Sequence, residues 1–233
     1  MSRIYKHGGF TIVELMLAMG FMSALLLAIA MTVIQIGNIY NRGITFKNVN
    51  QVGSAIANEL QSGISGGKLF VVYPMNVDYI NDLSSGGRLC TGVYSYVWNY
   101  GISIYKNNEN NLYKTDTGTP IRFVKVRDQS SLLCQKDDSG GYPAIDNASS
   151  IEMINGGQFD LAIQDFSIVS PPSDKDVVTG QQLYGIEFSL GTNDQSAFDD
   201  AHNCKVSGVD ADPVYCSVER FDITARSGIN MAK

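Results

Sequence analysis

Apolar residues run almost unbroken from Phe10 to Ile36, and Glu14 is the one charge between Phe10 and Ile34, a stretch of 25 residues. As a helix that stretch is roughly 37 Å long. A bilayer needs only about 20 such residues, so the segment is long enough to span one and is a poor candidate for exposure to water. Beyond Ile36 the chain turns polar but keeps a helical rhythm. Phe46, Val49, Val52, Ile56 and Leu60 recur at spacings of three and four, which predicts one buried stripe on an amphipathic helix. Gly37, Gly43 and Gly53 each weaken the helix by about 1 kcal/mol relative to Ala and, with Gly20, are the places where it could bend. Ser62-Gly63, with Gly66-Gly67 beyond, is the expected stop. The reading is one helix over 10–62, apolar all round in its first half and striped in its second.

From residue 69 the pattern changes to period two. Strands are expected over 69–73 and 93–100, and over 102–106 and 112–115 as the arms of a hairpin turning at 107–111. Further strands are expected over 121–126, around Phe159, Leu161 and Ile163, around Ile186, Phe188 and Leu190, and over 218–224. Residues 151–154 fit either a short helix or a strand, and 166–170 ends in a loop at Pro171-Pro172. The glycine pairs at 66–67, 86–87, 140–141 and 156–157 read as turns. Strands joined by short turns, with no helices between them, indicate an antiparallel sheet.

Glu14 needs an account. A carboxylate placed centrally in a membrane helix costs about 2.5–3.5 kcal/mol or more, and a positive partner would offset it. Gly8-Gly9-Phe10 followed by Glu14, with a short basic leader in front and an apolar helix behind, resembles the class III signal peptide of type IV pilins and of type II secretion pseudopilins. The resemblance covers residues 8 to about 35. It implies that a prepilin peptidase cuts after Gly9 and methylates the amine of Phe10, leaving Glu14 as the fifth residue to pair with the Phe10 amine of a neighbouring copy. It further implies an α+β fold with the helix packed on an antiparallel sheet, and partners that are copies of the chain, other pilins and an inner-membrane assembly platform. Location would be the inner membrane first and a surface filament afterwards. Members often carry a proline partway along the helix, and this chain has none there. A secretory signal is a less apt reading, because its apolar region runs only about 7–15 residues. A plain membrane anchor leaves Glu14 and the Gly-Gly-Phe junction without a role. The chain is thus divided into a leader at 1–9, a membrane and assembly segment at 10–36, an amphipathic half at 37–64 and a β-rich domain at 65–233. The size and the final Phe221-Asp222-Ile223-Thr224 resemble the larger minor pilins and minor pseudopilins.

Charge and cysteine usage fit an exported domain. The chain has 17 Lys and Arg against 23 Asp and Glu, a net −6, which becomes −8 once Arg3 and Lys6 leave with the leader. Such a surface does not favour nucleic acid. The leader's charges fit a cytoplasmic N-terminus. Cys90, Cys134, Cys204 and Cys216 form no C-x-x-C pair, and His7 and His202 are the two histidines, so zinc is poorly supported. Two disulfides are expected in an oxidising compartment. Three pairings are possible; Cys204–Cys216, which closes a short loop, together with Cys90–Cys134 is the favoured one. Pilins often close a C-terminal loop with such a bridge.

Catalytic signals are missing from the pattern. There is no nucleophile elbow and no phosphate loop, so neither enzymatic activity nor a cofactor is expected. Asp199, Asp200, Asp210 and Asp212, with Asp194, are candidate calcium oxygens, a use some pseudopilins make of this region. Their spacing matches no EF-hand, and a solvated acidic loop is the favoured reading. Tyr94, Tyr96, Trp98 and Tyr100 share one strand face. Such a ladder can bind sugar or single-stranded nucleic acid, but packing against a core is favoured. The alternatives to a filament subunit are a minor pseudopilin, an adhesin or DNA-uptake module displayed on a pilin stem, and a membrane-anchored exported enzyme.

Overall fold

A computed structural model of the chain describes residues 10–72, 77–106, 112–138, 140–154, 159–169, 176, 178–199, 203–205 and 215–228. The leader, the expected turn at 107–111 and Pro171-Pro172 lie outside them. Helix α1 runs Ile12–Ser65, 54 residues, about 81 Å long. Thr11 caps it. Its hydroxyl accepts from the Glu14 amide at 3.3 Å, and the Glu14 carboxylate accepts from the Thr11 amide at 3.0 Å and hydroxyl at 2.9 Å. This reciprocal box satisfies amide groups that a helix start otherwise leaves unpaired. At the other end the Gly66 amide bonds the Ser62 carbonyl and the Gly67 amide that of Ile64.

The strands form two antiparallel sheets, where the sequence reading expected one. The first is a five-stranded meander of β1 (Tyr79–Asp82), β2 (Gly86–Cys90), β3 (Tyr94–Asn99), β4 (Phe123–Arg127) and β5 (Ser150–Glu152). The second is β6 (Leu161–Val169), β7 (Leu183–Thr192) and β8 (Val218–Arg226). A bridge from Tyr100 to Ile163 joins them. The second half of α1 lies along β8, where the Gln61 side chain donates to the Thr224 carbonyl at 3.1 Å. This is an α+β fold, a long apolar-ended helix packed on antiparallel sheet.

Several expected elements differ. Residues 69–72 of the strand expected over 69–73 join no ladder, and Tyr73 lies outside the described residues. The Phe70 amide is bonded by the Tyr184 hydroxyl and the Val71 amide by the Asp78 carboxylate, so side chains replace a neighbouring strand. Residues 102–105 fall instead in a short helix, α2 (Gly101–Tyr105), with Lys106 as its C-cap, anchored by the Ser103 hydroxyl on the Ser84 carbonyl at 2.8 Å. Residues 112–115 make only isolated bridges, Lys114 to Pro120 and Thr115 to Ile145, so the expected hairpin is absent among the described residues. Gly86-Gly87 is no turn but the start of β2. Gly87 faces Trp98 across the ladder, and a Cβ there would lie 2.2 Å from the indole. Gly87 is glycine because the ring needs the space, and Gly86 because a Cβ there would lie 1.9 Å from the Trp98 carbonyl oxygen.

The core is aromatic. Trp98 of β3 sits 4.1 Å, centroid to centroid, from Phe166 of β6. From Phe166 the row continues to Phe188 of β7 and on to Phe221 of β8. Tyr96 and Trp98 are wholly buried and Tyr100 nearly so, so the β3 ladder packs inward. The row ends on α1. A Cβ on Gly53 would lie 2.1 Å from the Phe221 ring. Gly63 is matched the same way to the Tyr96 hydroxyl, at 1.9 Å. Gly53 thus serves as a notch, where the sequence suggested a bend. Val49, Ile56 and Leu60 are buried as expected, whereas Phe46 is half exposed because cover on α1 begins only at Thr45, on a different face.

Gly53→Ala is expected to destabilise the domain by about 1–3 kcal/mol through overpacking. Gly43→Ala, with open space around it, should be neutral or stabilising by up to about 1 kcal/mol. Urea denaturation in detergent checks both, and equal effects would remove the notch.

Candidate functional site

The first half of α1 is where the fold leaves chemistry unfinished. Its most apolar window has no buried residue, and its mean hydropathy reaches 2.3. Large apolar side chains from Phe10, 86% exposed, to Tyr40, 66% exposed, point outward on every side of the helix. By length and composition this helix can cross a membrane, which supports membrane association. Glu14 is the one carboxylate on it and Phe10 lies one turn before, at the end of the rod. Gly8 and Gly9 fall outside the described residues. Arg42 and Lys47 beyond the apolar stretch equal Arg3 and Lys6 before it in number, so basic flanks alone do not orient the span.

The second half is clamped by a polar cluster. The Lys125 ammonium meets the Glu59 carboxylate at 2.5 Å and lies 3.9 Å from the centre of the Tyr94 ring. The Tyr96 hydroxyl donates to the same carboxylate at 3.1 Å. Burial, then the Glu59 charge, pushes the Tyr96 phenol well above its ordinary range, so it stays a donor at any physiological pH.

The disulfides join Cys90 to Cys134 and Cys204 to Cys216. Cys90–Cys134 staples β2 to the segment after β4. Beside it the buried Arg88 guanidinium donates to the Leu133 carbonyl at 2.8 Å and lies 4.5 Å and 4.9 Å from the ring centres of Tyr113 and Tyr142. Burial lowers its pKa below the ordinary arginine value. The periodicity of the sequence did not reveal this side chain, because it sits on a strand with no alternation. The only hint was an arginine between Gly-Gly and Leu-Cys.

Asp199 is exposed, and its carboxylate accepts from the Asn203 amide at 2.8 Å. Asp194 caps a short 3-10 turn. Asp200, His202, Asp210 and Asp212 lie outside the described residues, as does His7. No group of three or more His, Cys, Asp or Glu among the described residues is placed to hold a metal ion. An open cleft of about 520 Å³ lies on the outer face of the second sheet, lined in part by Gln164, Asp165, Ser189 and Arg220. Arg220 is ion-paired to Glu187 and Asp222.

No family model matches the chain, nor does any curated protein or solved structure.

Replacing Cys90 and Cys134 together by Ser should lower stability by about 2–5 kcal/mol. A urea midpoint unchanged from the parent would show that Arg88 and the core hold that segment without the bridge.

Proposed function

We propose that the chain is a non-catalytic structural subunit of a type IV pilus-like filament, a larger or minor pilin, or else a minor pseudopilin of a type II secretion system. The observation that carries this reading is the bare apolar half of α1 with a single carboxylate in its first turn. A surface apolar on all sides needs lipid or other apolar helices around it, and repeated head-to-tail contacts build an open helical polymer. The Gly9-Phe10 junction adds the chemistry. Cleavage there by a prepilin peptidase and methylation of the new amine place a cation four residues before Glu14.

In this mechanism the helix first holds the subunit in the inner membrane at an assembly platform. In the filament, the Glu14 carboxylate of one copy meets the Phe10 amine of the next. Within a low-dielectric helix bundle, an unpaired charge is strongly unfavourable and a paired one is tolerated, so the pairing sets the register at which helices stack. The β-rich domain forms the outer surface. The acidic charge disfavours a DNA-uptake role. The outer-face cleft favours one second reading, a ligand-binding module displayed on the same stem.

Glu14→Gln separates the two roles of this carboxylate, because Gln keeps an acceptor for Thr11 and still completes a capping box. The variant is expected to fold and reach the membrane, but to fall about tenfold or more in sheared filaments. Parental incorporation would remove the pairing mechanism. Intact mass and N-terminal sequencing should find a chain starting at methylated Phe10. A chain retaining Met1, or cut well after residue 30, would overturn the pilin reading.

A further inference from the structure

Between Glu14 and Glu59 the chain has no acidic residue, although it carries 23 overall. In that gap, just past the apolar stretch, stand Arg42 and Lys47, both exposed. Around them lie Tyr40 at 66% exposure and Phe46 at 51%. The folded domain adds one more group at this level. Tyr215, half exposed beside the Cys204–Cys216 bridge, accepts a hydrogen bond from the Asn41 side chain at 3.4 Å. Two tyrosines, a phenylalanine and two cations therefore ring α1 where its apolar half meets the domain.

We propose that this ring is a docking surface for phospholipid headgroups, seating the globular domain against the bilayer while the subunit is membrane-held. The proposal rests on the reading of α1 as a membrane span. Length supports it. From Glu14 to Ile36 the helix rises about 33 Å, close to the roughly 30 Å of a hydrocarbon core. Asn41 then falls about 8 Å further on, within the headgroup layer. Tyrosine rings favour that layer because one end is apolar and the other wet. Arg42, about 9 Å past Ile36, faces the lipid phosphates, and Lys47, about 17 Å past it, attracts them across roughly a Debye length. Along α1 no carboxylate stands between Glu14 and Glu59 to cancel the attraction, so the helix of an acidic protein presents a basic edge where the lipid is.

The test uses the full chain in phosphatidylcholine vesicles with and without phosphatidylglycerol. Tyr215→Trp supplies the probe, and the wholly buried Trp98 of the parent chain is the control. Lipids brominated high in the acyl chain should quench the new tryptophan and leave Trp98 bright. Adding Arg42→Glu and Lys47→Glu should cut that quenching to about half or less in anionic vesicles. Quenching no greater than that of Trp98, or unchanged by charge reversal, overturns the proposal. Extraction of the parent chain from vesicles at alkaline pH would instead defeat the membrane-span reading beneath it.

Discussion

One helix faces two environments, and the rest of the molecule follows from that constraint. An apolar rod longer than the hydrocarbon core of a bilayer is thick continues without a break into a segment whose buried stripe is set in an aromatic core. The join is made by absence of side chain as much as by presence. Gly53 admits the Phe221 ring and Gly63 admits the Tyr96 hydroxyl, so the sheet approaches the helix axis more closely than any larger residue would allow. From Phe221 the stacking passes through Phe188 and Phe166 to Trp98. The helix seat and the contact between the two sheets are thus one packed object, and strain at either end is carried through it.

Around this core the polar groups do the fastening. The Glu59 carboxylate accepts from Lys125 and Tyr96 together, tying α1 to β3 and β4 at a half-buried site. There an unpaired charge would cost more than the pair contributes. Arg88 is satisfied differently, by carbonyl oxygens and two aromatic faces, next to the Cys90–Cys134 bridge. The Arg88 arrangement holds the short turn Leu132–Cys134, a segment that belongs to no strand. A domain fastened in this way can keep its shape while its helix exchanges lipid for protein neighbours, which is what a subunit entering a filament would require.

Much of the architecture was legible in the sequence because the relevant signals are long or local. An apolar run with one carboxylate, then apolar residues at spacings of three and four, specifies a helix and its change of surroundings. Period-two runs located β3, β4, β7 and β8 to within a few residues and the first residues of β6, which runs on to Val169. Other elements were hidden for physical reasons. β2 is buried on both faces, and its Gly86-Gly87 resembles a turn until Trp98 is seen lying over it. α2 carries Ile102 and Ile104 in a strand-like alternation, yet a hydrogen bond from Ser103 to Ser84 and its position after β3 close it into a helical turn.

The sequence by itself determined that the chain has an apolar rod too hydrophobic for water, a carboxylate at its start, an antiparallel β domain behind it and four cysteines able to pair. These follow from composition and periodicity, which act over neighbouring residues. Only the tertiary structure decided that the strands divide into two sheets, that Gly53 and Gly63 are notches, and that the tyrosine ladder of β3 faces a core. It also decided that Tyr215 stands beside Asn41, 174 positions away. Such pairings depend on side chains meeting across distant parts of the chain, where no local spacing records the contact.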